Sequence, residues 1–138
     1  MAVKVFWFDP KHTILAFEFY GKWVWEEVYT AVDEAHRLTQ SVDYMYYVLV
    51  MPCDVEAQQH IPPNIIAHFP VLARRVAPNV VLDIIVLHGL IAFWRNLFQS
   101  IKSMYPILAQ PFDLATSQEE ALQMIQQHKE RNAVASHP

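Results

Sequence analysis

Glycine is almost missing from this chain, which has only Gly21 and Gly89 among its 138 residues. Phosphate-binding loops need several glycines at the turn between a strand and a helix, because backbone N–H groups must approach the phosphate closely. Neither a Walker motif nor a G-x-G fingerprint can be built from two distant glycines. The sequence therefore disfavours nucleotide binding, and we expect no cofactor.

Cysteine and charged residues are also scarce. The single cysteine, Cys53, excludes an internal disulfide and fits a reducing compartment. Charged residues make up 17% of the chain and the formal net charge is −4, which disfavours binding to nucleic acid. No apolar run reaches the roughly 20 residues that cross a membrane, and the N-terminus lacks the layout of a signal peptide. The expected location is the cytoplasm.

Hydrophobic residues, in contrast, are in surplus. They make up 54% of the chain, compared with roughly 45–50% in ordinary domains. A single domain of this length has a limited interior, so part of the surplus is expected on the surface. Exposed apolar patches usually bind a partner.

The hydrophobic pattern predicts a strand hairpin followed by alternating helices and strands. The predicted elements are strands 3–8 and 13–20, helix 24–39, strand 44–51, helix 64–77, strand 80–87, helix 90–104, strand 107–109, and a helix from Ser117 to about Lys129. The order ββαβαβαβα predicts an α/β fold with a single, mostly parallel mixed sheet of about five strands and about four helices. Residues 1–129 are expected to form one domain, and residues 130–138 a disordered tail.

The loop after the central strand is the natural place for chemistry, since ligands bind at the carboxyl ends of strands in open α/β sheets. Strand 44–51 is apolar throughout, which is typical of a strand buried on both faces. The loop 52–63 that follows contains no glycine, serine, threonine, lysine or arginine. It offers no cradle for a phosphate, no hydroxyl to phosphorylate and no cation.

The hairpin and the central strand occur together with two short motifs. The motifs are Tyr20-Gly21-Lys22-Trp23-Val24-Trp25-Glu26-Glu27, which opens the first helix, and Thr116-Ser117-Gln118-Glu119-Glu120-Ala121-Leu122, which opens the last. In these features the chain resembles the STAS superfamily, the bacterial anti-sigma-factor antagonist domains and their relatives. The resemblance implies a STAS-like fold and a non-catalytic cytoplasmic domain that works by binding another protein.

The resemblance also implies a phosphorylatable serine in the loop after the third strand. At that position this chain has Cys53 and Asp54, with no hydroxyl nearby. The phosphorylation switch therefore does not carry over to this chain. One hypothesis is that Asp54 mimics a fixed negative charge there.

One set of side chains has the residue types of a catalytic site: Cys53, Asp54 and His60. A reactive thiolate needs a base within hydrogen-bond reach and an electropositive setting. Here the neighbouring Asp54 and Glu56 would raise the pKa of the thiol, so we interpret Cys53 as a small buried side chain and expect no enzyme. The seven histidines show no pair at a metal-ligand spacing, so no metal site is expected.

Asp83 is the one charged residue in the apolar strand 80–87. A buried charge is costly unless it is paired. Two interpretations stay open: the carboxylate faces a pocket, or it meets Arg74, Arg75 or solvent. The second is preferred, because buried polar groups are usually hydrogen-bonded.

Aromatic residues supply the predicted interface. The candidate residues on the first and third helices are Trp94, Phe98, Phe93 and Trp25. Since large aromatics commonly anchor interfaces, the preferred hypothesis is a STAS-like interaction domain that forms a homodimer. The alternative is a domain that binds a small apolar ligand or lipid in a pocket lined by aromatic and methionine side chains.

Overall fold

The computed structural model describes residues 2–89, 91–104 and 112–135. Within them the chain forms five strands and five helices. In chain order these are β1 (Val3–Trp7), β2 (Ile14–Phe19), α1 (Trp25–Thr39), β3 (Tyr46–Pro52), α2 (Val55–Gln59), α3 (Ile65–Arg74), β4 (Val80–Val86), α4 (Ile91–Met104), β5 (Phe112–Ala115) and α5 (Gln118–Ala135).

The strands form one sheet in the order β1-β2-β3-β4-β5. β1 runs antiparallel to β2, and the other three neighbouring pairs are parallel. A helix occupies each connection between parallel neighbours, because such strands need a crossover. The predicted α/β class and mostly parallel mixed sheet are confirmed, with the apolar strand β3 at the centre.

The hairpin between β1 and β2 is closed by Asp9. The N–H of His12 donates to the Asp9 carbonyl at 3.1 Å, which is the bond of a β-turn. The Asp9 carboxylate also accepts from the N–H groups of Thr13 and Ile14, at 2.8 and 2.9 Å. These bonds confirm the predicted turn and set the register of the first two strands.

Each face of the sheet buries its own core. α5 covers one face, where Leu49, Ile84 and Ile125 are almost completely buried. α1, α3 and α4 cover the other face. Right-handed crossovers between strands that follow one another in a single direction place these three helices on the same side. Side chains alternate between the two faces of the sheet along each strand, so neighbouring residues belong to different cores.

Two short elements differ from the prediction. α2 forms inside the stretch 52–63 that the sequence predicted as a loop, because Asp54 caps its first turn. β5 lies at Phe112–Ala115, where no strand was predicted. The predicted strand 107–109 lies outside the described residues.

α5 is longer than predicted. It reaches Ala135, so residues 130–135 are helical where a disordered tail was expected; residues 136–138 lie outside the described part of the chain. At its start, Ser117 Oγ accepts from the N–H of Glu120 at 3.0 Å, which caps the first turn. The Glu120 carboxylate accepts from the Thr116 hydroxyl at 2.8 Å. Among the described helices none is both long and apolar enough to cross a membrane.

Candidate functional site: an apolar cavity with one buried carboxyl

An apolar cavity of about 240 Å³, partly open to solvent, lies between the sheet and the helices α1, α3 and α4. Strands β2 to β5 form its floor, with side chains that include Phe17, Phe19, Val50, Asp83, Ile85 and Phe112. The three helices form its roof, with Trp25, Val28, Phe69, Leu72, Trp94 and Phe98. The cavity therefore lies on the face of the sheet opposite α5.

The strand register explains how Asp83 reaches this cavity. Asp83 of β4 pairs with Val48 of β3 and with Phe112 of β5. Residues paired in register point to the same face, so these three side chains form a row across the sheet. Because Val48 and Phe112 are apolar, Asp83 has no polar side chain beside it in that row.

The carboxyl group of Asp83 is buried without a partner. Its Oδ1 is the one buried side-chain nitrogen or oxygen in the described residues that makes no hydrogen bond. The residue keeps some accessible surface because it lines the cavity. Removal from water disfavours the charged form and raises the pKa of Asp83 to about 7. The group therefore changes between a proton donor and an anion near neutral pH.

The arginine contacts that the preferred interpretation offered for Asp83 are not formed in the described residues. Arg75 forms its ion pair with Asp33 of α1, and Arg74 is exposed at the end of α3. Neither arginine reaches the cavity, because α3 places its polar face outwards and its apolar face over β4. The interpretation that Asp83 faces a pocket is the one that the structure supports.

Two tryptophans and a histidine line the cavity near the start of α1, and we call Trp23, Trp25 and His60 the rim cluster. The Trp23 ring packs edge-on against Trp25 and His60, with centroids 5.2 and 5.1 Å apart. His60 Nε2 lies 2.9 Å from the Trp23 carbonyl oxygen. Trp25 stacks on His68 of α3 with centroids 4.6 Å apart. The cluster joins the segment before α1 to α3 and to the segment after α2.

The side chains of Cys53, Asp54 and His60 form hydrogen bonds with backbone atoms and not with one another in the described residues. Cys53 is exposed, where the sequence predicted a buried side chain, because β3 ends at Pro52 and the next residue is already in the turn. Partial burial of the sulfur and the nearby Glu18 carboxylate raise the pKa of the Cys53 thiol. No set of three or more potential metal ligands comes together within the described residues.

The Asp54 carboxylate is hydrogen-bonded to the backbone of two turns. Its carboxylate accepts from the N–H of Ala57 at 2.7 Å, which caps α2, and from the N–H of Gly21 at 3.0 Å. Gly21 has a φ of +62°, a conformation that strains other residues, and an added Cβ would lie 3.3 Å from Glu56 Oε1. Through these hydrogen bonds Asp54 joins the turn at Gly21 to the first turn of α2.

The predicted interface residues are divided between the core and the surface. Phe98 is only 5% exposed and packs against Phe69 and Phe112, with centroids 4.9 and 5.2 Å apart. Trp94 and Trp25 are half-buried and line the cavity. Phe93 is 46% exposed and remains a candidate interface residue. Helical pattern alone did not distinguish the side of α4 that faces the sheet from the side that faces solvent.

Two features of the sequence pointed to the cavity. One is the charged residue in the apolar strand β4; the other is the set of aromatic residues, which the preferred hypothesis placed at an interface and the alternative placed in a ligand pocket. In comparisons with known proteins, no family model, curated protein or solved structure matches the chain.

Proposed function

We propose that this chain binds a small apolar ligand in the cavity between the sheet and the helices α1, α3 and α4. The observation that supports it most is the cavity itself, an apolar space of about 240 Å³ that contains an unpaired carboxyl group. Protein interiors are close-packed, and voids larger than a water molecule are few. In a space of this size the lining side chains lack protein packing partners on one side, and an apolar ligand would supply those contacts.

The volume limits the size of the ligand. An engineered apolar cavity of roughly 150 Å³ binds benzene, whereas sites for drug-sized molecules occupy roughly 300 to 1,000 Å³. The present cavity lies between the two. A molecule of about two fused rings, such as a naphthalene derivative, matches that range.

Filling the cavity will abolish this binding. Ala73 of α3 lines the cavity, and Ala73→Phe places a ring in the space that the ligand would occupy. We expect the affinity for 1-methylnaphthalene, measured by isothermal titration calorimetry, to fall by about tenfold or more, since overlap costs at least one or two kcal/mol. Ala67 is exposed on the same helix, so Ala67→Phe is the matched control and will bind like the wild type. Unchanged binding by Ala73→Phe, or no binding by the wild type, would contradict the proposal.

A second proposal keeps the expectation of a STAS-like interaction domain that self-associates. It is supported by Phe93 and Met104, two large apolar residues of α4 that are 46% and 58% exposed. They lie 11 residues apart, which places them on one side of the helix.

Self-association predicts a dimer mass by light scattering at micromolar concentration. Phe93→Glu will then shift the protein towards the monomer, because a charge placed in an apolar interface is costly. Val71 is exposed on α3, so Val71→Glu supplies the control and should leave the mass unchanged. A wild-type monomer at high concentration would remove this proposal and leave the first untouched.

A further inference from the structure

We infer that the ligand of the cavity is an apolar amine whose ammonium group pairs with Asp83. The inference rests on the proposed binding function and adds the chemical class of the ligand. Three features of the described residues support it: the charges in the lining, the unpaired Asp83 oxygen and the aromatic walls.

The charges of the lining select against anions. Among the described residues that line the cavity, Asp83 is the only acidic one, and neither lysine nor arginine is present. A carboxylate or phosphate ligand would enter without a counter-charge and would approach Asp83. Burying two like charges together is strongly unfavourable. A fatty acid or a phosphorylated ligand therefore does not suit this cavity.

The unpaired Asp83 oxygen selects for a hydrogen-bond donor. Oδ1 of Asp83 makes no hydrogen bond in the described part of the protein and is shielded from solvent. A ligand would therefore reach the carboxyl group through the part of Asp83 that lines the cavity, and pairing is favoured because an unpaired buried polar group lowers stability. An ammonium N–H would supply the missing donor and a compensating charge. Hydrogen bonds between ionised groups are roughly twice as strong as neutral ones, so an amine gains more here than an alcohol does.

The aromatic walls also favour a cation. Phe112 is the neighbour of Asp83 in the sheet register, and Phe69 and Phe98 pack around Phe112 from the helices. Aromatic rings attract cations over their faces, and apolar surroundings strengthen that attraction. Lys102 Nζ already lies 4.2 Å from the Phe112 centroid, so Phe69 and Phe98 are the lining rings that a ligand cation would use. The same rings provide the apolar surface that the rest of the ligand would bury.

The charged groups of the surrounding elements leave Asp83 unneutralised. On α3, Arg75 pairs with Asp33 and Arg74 is exposed. On α4, Lys102 places its Nζ 4.2 Å from the centroid of the Phe112 ring. In the rim cluster, His60 Nε2 lies 2.9 Å from the Trp23 carbonyl oxygen.

Four ligands of one shape test the inference: 1-methylnaphthalene, 1-naphthalenemethanol, 1-naphthylmethylamine and 1-naphthoate. We expect calorimetry at pH 8 to show the amine binding about 10- to 100-fold more tightly than the hydrocarbon, the range of a hydrogen bond to a charged group. Naphthoate will bind most weakly. Asp83→Asn will remove the advantage of the amine over the hydrocarbon, the two affinities being compared within each protein.

A titration of the wild type gives a second measurement that needs no mutation. At pH 5 Asp83 is protonated, so the preference for the amine over the hydrocarbon will decrease by about tenfold or more. If the amine and the alcohol bind equally at pH 8, or if the preference survives in Asp83→Asn, the inference is wrong and the proposed binding function stands. If none of the four ligands binds, the proposed function is wrong as well.

Discussion

Asp83→Asn will remove a pH-dependent loss of stability from this protein. The pKa of Asp83 is about 7 in the folded state and near its ordinary value of 3.8 in the unfolded state. Between these values the folded state holds a proton that the unfolded state has released, so the free energy of unfolding decreases as the pH rises. The full difference corresponds to about 4 kcal/mol, present at pH 4 and lost by pH 8.

Urea denaturation at pH 4.5, 6 and 8 measures this loss. At pH 4.5 the variant and the wild type will differ by only about 1 kcal/mol, because a protonated carboxyl and an amide are both uncharged in the folded state. At pH 8 the variant will be more stable by up to about 4 kcal/mol, since only the wild type then has a buried charge. Asp43 is exposed in the segment before β3, so Asp43→Asn is the control and should follow the wild type. If the curves of Asp83→Asn and the wild type are parallel at all three pH values, Asp83 is not buried in solution.

Truncating two consecutive isoleucines of β4 will have very different costs. Ile84 is 0% exposed in the core beneath α5, whereas the next residue, Ile85, is half-buried and lines the cavity. Ile84→Ala will lower the free energy of unfolding by about 2–5 kcal/mol, because it opens a void in close-packed surroundings. Ile85→Ala will cost at least about 1–2 kcal/mol less, because part of its side chain already lacks partner atoms.

Each isoleucine variant serves as the control for the other, since the residue type, the strand and the substitution are the same. Chemical denaturation at pH 8 gives both free energies, and similar m-values would show that the two variants unfold from the same compact state. Equal costs would mean that the space beside Ile85 is filled in solution by neighbouring side chains. That result would also weaken the proposal that the cavity holds a ligand.

The element order was predictable because each long element has its own hydrophobic period. Leu15, Phe17 and Phe19 alternate along β2 and do share a face, while Val28 and Ala35 of α1 follow helical spacing and are buried. The short elements were missed for a physical reason. α2 has five residues, too few to show a period, and depends on the Asp54 cap. β5 has four residues and forms by pairing with β4.

The sequence by itself determined the α/β class and the parallel centre of the sheet, because these depend on local pattern. It also showed that the loop 52–63 lacks the residue types that bind phosphate. Only the tertiary structure decided what Asp83 and the aromatic residues do. The cavity is lined by side chains from four strands and three helices, among them Phe17, Trp25 and Phe98. The register of β3, β4 and β5 places Asp83 on the same face of the sheet. The scarcity of glycine and charge argues against a phosphate site, whereas the apolar cavity arises because bulky side chains from distant segments meet without filling the space between them.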